Sequence, residues 1–457
     1  MLFSTGVFWV FYAFVLLVLQ LNFKFKKSIK LQSLAILSAS YYFYAYWDWR
    51  FLGLIVLVSL QTFLLGRMIY ENQSYRKTLL FISVSINVLI LGYFKYFNFF
   101  ARELIDLLGL KDSYALEKII LPVGISFYIF QSLTYVIDIY FKKLSPEKNI
   151  VDYFTYIAFF PQLVAGPIER ARALLPQFKY LHSISLDNLY TGTKIAVLGL
   201  FLKVFIADNV AGDVDRVFSN YASFNGGTLF LGAIYFAIQI YGDFCGYSLI
   251  AIGVAKIMGF ELMRNFDTPY FSTSIQEFWR RWHISLSTFF RDYVYIPLGG
   301  SRVSSGLIQN RNVAVTFLLS GIWHGANWTF MLWGSIHGFL LVVQNTVKVR
   351  VPKLLGWTVT MSFVLLLWIL FRSESISNFV EFISKIVTDP SMPKRGTSEV
   401  VFIIYYLFTD FLLLKFKETE STFFNSIILE SLVLAIMLVL VIGTIHDVNP
   451  NFIYFQF

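Results

Sequence analysis

Long charge-poor apolar stretches recur along this chain, from Phe8–Leu21 through Leu52–Leu65, Leu79–Phe94 and Leu355–Phe371 to Ile427–Ile442. They restrict its fold more than any motif does. Inside a lipid bilayer every backbone N–H and C=O must be paired within the protein, and a helix achieves this within a single segment. A crossing takes about 20 apolar residues. Several runs, such as Tyr153–Val164 and Val313–Ile322, are too short to cross alone and read as re-entrant or tilted helices. The composition agrees: 57% of the 457 residues are hydrophobic and 14% charged, and the mean hydropathy is +0.64. We expect an all-α polytopic integral membrane protein of roughly 11–13 transmembrane or re-entrant helices, forming a single domain over residues 1–457.

The net charge of +9 would suggest nucleic acid in a soluble protein. Here the basic residues cluster between apolar runs: Lys24, Lys26, Lys27 and Lys30; Arg67, Arg76 and Lys77; Lys142, Lys143 and Lys148. That is the pattern of cytoplasmic loops, and it puts the N-terminus outside. Anionic membrane lipids or a phosphorylated donor are the expected partners, and nucleic acid is not. The lone cysteine, Cys245, excludes a disulfide within the chain and a cysteine zinc site. The first apolar run lacks a basic leader and a small-residue cleavage site, so it reads as an uncleaved span.

Against this background a few polar residues stand out. His324 lies in "SGIWHGANWTF" (320–330), whose flanks carry no charge. Burial disfavours an imidazolium, so a neutral ring is expected, one able to take a proton from a hydroxyl. A packed structural histidine is the alternative. His283 lies in "SIQEFWRRWHISLSTFFRDYVYI" (274–296), an amphipathic stretch with the adjacent Arg280 and Arg281; an interfacial Trp/Arg anchor is the competing explanation. Asp243 sits in "QIYGDFCGYSLIAIG", and Gln162 and Glu169 sit in "YIAFFPQLVAGPIERAR", where Pro161, Gly166 and Pro167 break any long helix. His337 follows His324 by 13 residues, and on a straight helix the two would point to nearly opposite sides. The five histidines match no metal motif, and no P-loop, dinucleotide fingerprint or nucleophile elbow is present.

"EFWRRWHISLSTFFRDYVYIPLGGSR" and "SGIWHGANWTFMLWGSIHG" closely resemble the membrane-bound O-acyltransferase family, in its bacterial branch of alginate and peptidoglycan O-acetylation proteins. "YFTYIAFFPQLVAGPIER", "QIYGDFCGYSLIAIG", "NFDTPYF" and the terminal "NPNFIYFQF" extend the likeness over most of the chain. The resemblance implies a bowl-shaped helical bundle with re-entrant helices around a central channel. It implies that His324 is the essential histidine and that His283 is a second catalytic polar residue. Trp323, Asn327, Asp243, Arg280, Arg281 and Gln162 are then candidates for substrate binding. Where the branch has an aspartate after "GYS", this chain has Leu249, so that polar contact is either absent or supplied by Asp243.

The expected activity is transfer of an acetyl group from cytoplasmic acetyl-CoA, a donor substrate rather than a cofactor, across the bacterial inner membrane. By the resemblance, a periplasmic or membrane-tethered esterase-like partner would then pass it to a cell-surface polysaccharide or peptidoglycan. His324 would be the general base, and His283 would stabilise the oxyanion or orient the substrate. Arg170 and Arg172 lie among the basic residues suited to the donor's phosphates. Two other readings stay open: D-alanyl transfer from an acidic carrier protein, and a non-enzymatic glycan or lipid exporter. The exporter predicts inverted repeats and paired intramembrane charges, neither of which is evident in the sequence.

Overall fold

The computed structural model describes residues 1–109, 119–347, 351–393, 400–419, 424 and 426–444. Among these there is no β-strand; the elements are α-helices joined by short 3₁₀ and π turns. His446 and "NPNFIYFQF" lie outside the described residues. Among the described residues, six helical stretches are long and apolar enough to cross a membrane: Gly6–Lys26, Ile29–Glu71, Arg76–Ile105, Leu186–Ser219, Gly226–Ile257 and Lys353–Arg372. The protein is an all-α, multi-pass membrane protein. Its residues divide into two compact units, one made of 1–196 and 248–263, the other of 197–247 and 264–457.

The first unit begins with α1 (Gly6–Leu21), α2 (Ile29–Asp48), α3 (Leu52–Glu71), α4 (Arg76–Leu107) and α5 (Ile125–Tyr140). Ser28 caps α2, its side chain accepting from the Leu31 N–H at 3.2 Å. Next come α6 (Ile150–Ala158), α7 (Phe160–Leu163), α8 (Ala171–Leu174) and residues 186–196 of α9 (Leu186–Leu200). The "YIAFFPQL" stretch is therefore two short helices broken at Phe159, whose ψ of 105° leaves the helical region. The N–H freed at Phe160 is taken by Ser40 Oγ at 3.1 Å. Glu169, buried in the loop that follows, accepts from the Met263 N–H. Burial pushes its carboxyl up to about 7.

The second unit contains α10 (Asp208–Ser219), the 22 residues 226–247 of α11 (Gly226–Ile257), α12 (Ile275–Arg281), α13 (Ile284–Phe290), α14 (Gly306–His324), α15 (Trp328–Thr346), α16 (Lys353–Arg372), α17 (Ile376–Thr388), α18 (Val400–Thr419) and α19 (Ile427–Gly443). The apolar runs Leu229–Ile240 and Leu249–Phe260, separate in hydropathy, belong largely to the single helix α11. The glycines of "YGDFCGY" do not end it. A Cβ on Gly246 would come within 2.8 Å of the Lys203 nitrogen, so glycine is there for close packing against the π-helical turn Phe201–Ala207. The polar segment after Arg372 forms α17, which buries Phe382 against Val217, Leu229, Ala233 and Ile369.

α14 and α15 form an antiparallel hairpin with their backbones in near contact. A Cβ on Gly334 would lie 2.9 Å from Gly321 Cα. Such small-residue crossings are how helices pack where lipid removes the hydrophobic incentive to associate. Backbone on both sides leaves nothing to yield, so Gly334→Val should force the pair apart at a cost of about 1–3 kcal/mol. Thermal unfolding in detergent should show a lowered midpoint for Gly334→Val. Gly6→Val, where an added Cβ meets nothing within 4 Å, should match the wild type.

Candidate active site

His324 is the last residue of α14. Gly325 has extended backbone, and the chain turns at once into α15, whose N-cap is Asn327. The straight-helix comparison of His324 with His337 therefore fails, because a helix end lies between them. His324 is 5% exposed and caged by rings: Trp323 at 4.8 Å between centroids, Trp333 at 4.9 Å and Phe371 at 5.3 Å, all edge-on. Trp333 also reaches His337 at 4.7 Å. The two histidines that the sequence set on opposite sides share one tryptophan.

His283 joins the same cluster through Trp323, 6.1 Å away. It is fully buried between Phe244 at 4.6 Å and Phe266 at 6.4 Å. It precedes α13 in the left-handed conformation, φ 43° and ψ 57°, which a non-glycine residue adopts only when its surroundings compel it. Asn265 compels it. The Asn265 carbonyl accepts from the Ile284 N–H at 2.8 Å. Its side-chain Oδ1 accepts from Ser285 Oγ at 2.9 Å and the Ser285 N–H at 3.3 Å, and meets His283 Nδ1 at 3.0 Å. A backbone N–H only donates, so the atom facing it is the amide oxygen, and His283 Nδ1 must carry a proton. Burial depresses the His283 imidazole to about 3 from the ordinary 6.5. A neutral ring donating at Nδ1 presents a lone pair at Nε2. It can receive a hydrogen bond from a hydroxyl, but it cannot donate one to an oxyanion.

His337 has the opposite tautomer. Trp279 Nε1, a donor only, lies 3.2 Å from His337 Nδ1, so that nitrogen holds the lone pair. The Trp279 ring packs on His337 and Trp333 at 5.0 and 5.6 Å, and Trp282 packs on Trp368 at 4.9 Å. These tryptophans, with Asn265, are the site residues that motif reading passed over. Asn265 opens "NFDTPYF", the one signal that pointed to it.

Most of the other candidates have structural partners. Asn327 Oδ1 caps α15 at the Thr329 N–H, 3.0 Å, and its amide donates to the Glu374 carbonyl at 2.9 Å. Arg281 pairs with Glu277 at 2.6 Å, and Arg280 is exposed. Gln162 belongs to the other compact unit, where its Nε2 donates to the Tyr156 carbonyl at 3.1 Å. Asp243 pairs with Lys203 at 2.5 Å, and Lys203 also holds Asp208 at 2.6 Å. All three side chains are buried, so the second unit does contain a paired intramembrane charge. No group of His, Cys, Asp and Glu among the described residues is placed to hold a metal ion.

A multi-pass helical membrane protein with buried histidines gathered in an aromatic cluster is the class that fold and site define. The chain belongs to the membrane-bound O-acyltransferase family, whose model matches residues 41–380, and it is an O-acyltransferase enzyme. It is 40% identical over 387 residues to the probable alginate O-acetylase AlgI of Azotobacter vinelandii, covering 82% of this chain and 76% of that one. It is 35% identical over 384 residues to the peptidoglycan O-acetyltransferase of Helicobacter pylori, covering 76% and 72%. To the teichoic acid D-alanyltransferase of Streptococcus thermophilus it is 29% identical over 238 residues, covering 49% and 56%.

Two outcomes follow from these contacts. Lys203→Met leaves two buried carboxylates facing each other and should destabilise the protein by about 3–5 kcal/mol; adding Asp208→Asn and Asp243→Asn should recover most of the lost melting temperature. At His283 the unfolded ring takes up a proton below about pH 6.5 while the folded ring resists until about 3. Stability from this site is thus present above 6.5 and lost as the pH falls. The melting temperature of the wild type relative to His283→Gln should drop between pH 6.5 and 4.5; a constant difference would contradict the assignment.

Proposed function

We propose that this enzyme takes an acetyl group from acetyl-CoA on the cytoplasmic side of a bacterial inner membrane and delivers it for O-acetylation of a cell-surface polysaccharide or peptidoglycan. An esterase-like protein outside the membrane would complete the transfer to the polymer. The reading rests on one observation above others. His324 ends α14 inside a cage of three aromatic rings, with His283 one tryptophan away. The relatives named for O-acetylation of alginate and peptidoglycan match at higher identity, and over more of the chain, than the relative named for D-alanyl transfer.

His324 acts as the general base, drawing the proton from the acceptor hydroxyl as its oxygen attacks the thioester carbonyl. His283, with its lone pair at Nε2, orients that hydroxyl. Neither ring requires a metal or a bound cofactor for this role.

His324→Ala, in a strain with normal protein levels, should abolish acetylation of the surface polymer. Unchanged acetylation would remove the base role. Purified protein should consume acetyl-CoA; consumption of a D-alanyl carrier protein instead would establish the D-alanyl reading, and consumption of neither would favour an exporter.

A further inference from the structure

Trp333 is fully buried in α15 between the two histidines of the hairpin, its ring edge-on to His324 at 82° and to His337 at 75°. Its Nε1–H has no hydrogen-bond partner among the described residues. Three other indoles of the same unit do donate. Trp279 donates to His337, Trp368 to the Tyr270 hydroxyl at 3.1 Å, and Trp357 to the Tyr270 carbonyl at 2.9 Å. One turn earlier on the same face of α15, the buried hydroxyl of Thr329 is likewise unpartnered among the described residues. A helical threonine usually donates to the carbonyl four residues back, but here that residue is Gly325, outside the helix. Two buried donors without acceptors among the described residues, one turn apart on α15 and one of them on the ring packed against His324, are suited to an oxygen supplied by a ligand.

Acyl transfer needs such a donor. The tetrahedral intermediate carries a negative oxygen, and the tautomer of His283 excludes it from that task. An indole N–H is a donor only. We propose that Trp333 Nε1–H binds the carbonyl oxygen of the acyl thioester and stabilises the oxyanion formed from it, a role that rests on the acyl-transfer reading above. The acceptor oxygen bonds to the carbonyl carbon as its proton passes to His324. The C=O π pair moves onto oxygen and is held by Trp333. The pair then returns, the C–S bond breaks, and the thiolate takes the proton back from His324, giving an ester and a free thiol.

The test replaces Trp333 with 3-benzothienylalanine, which keeps the ring shape and substitutes sulfur for N–H. Trp333→Phe serves as a second variant, and Trp357 replaced by the same analogue serves as the control. Turnover of acetyl-CoA by the full-length protein, KM for acetyl-CoA and melting temperature are measured together. The analogue at position 333 should lower kcat roughly 100-fold, the usual loss of an oxyanion donor, with KM within a few-fold. Its melting temperature should hold or rise, because removing an unmet buried donor relieves a desolvation cost. At position 357 kcat should not change. An unchanged kcat at position 333 overturns the proposal, as does a loss of kcat accompanied by an equal loss of stability. Wild-type protein that turns over no acyl thioester overturns the acyl-transfer reading and this role with it. Normal wild-type turnover with an unaffected analogue overturns the role of Trp333 alone.

Discussion

A backbone amide buried away from water must find its partner inside the protein, and where the chain departs from the helix that partner is a side chain or a remote carbonyl. The breaks in this protein obey that rule. Ser40 takes the N–H freed at Phe160, Glu169 takes that of Met263, and Asn327 takes that of Thr329. Asn265 carries the heaviest share, holding the Ile284 N–H through its carbonyl and Ser285 and His283 through its side chain. The catalytic candidates lie at these breaks because only there does a side chain leave the regular face of a helix. His324 ends one helix and His283 precedes another.

Aromatic packing supplies the second layer. The chain is 19% aromatic, and its buried rings do more than fill space. Tryptophan brings a large apolar body with one directional donor. Trp279 uses its donor to set the tautomer of His337, as Asn265 does for His283, and the two rings end in opposite protonation patterns. A neutral imidazole with a defined tautomer offers one donor and one acceptor at known positions. Trp323 and Trp333 tie the three histidines into one cluster.

The Lys203 pair has another character. An ammonium between two carboxylates in a buried π-helical turn is seldom a net source of stability, yet it is costly to break. It sits against α11, where Phe244, the residue after Asp243, packs on His283. Asp243 is thereby held by a cation of its own unit.

Much of this was legible in the amino-acid order. The charge-poor runs dictate helices in a bilayer, since nothing else pairs the backbone there. The uncharged flanks of His324 single out that residue before any coordinates. The gap in hydropathy at "YGDFCGY" misled, because glycines that permit close packing look in sequence like glycines that end a helix. Lys203 was invisible as a partner, 40 residues from Asp243, as was Asn265, 18 residues before His283. Composition and periodicity are local properties, so they determined the class, the medium and the exceptional histidine. Which donor meets which lone pair depends on distances between segments remote along the chain, and only the tertiary structure decided the tautomers, the aromatic cage and the unmet N–H of Trp333.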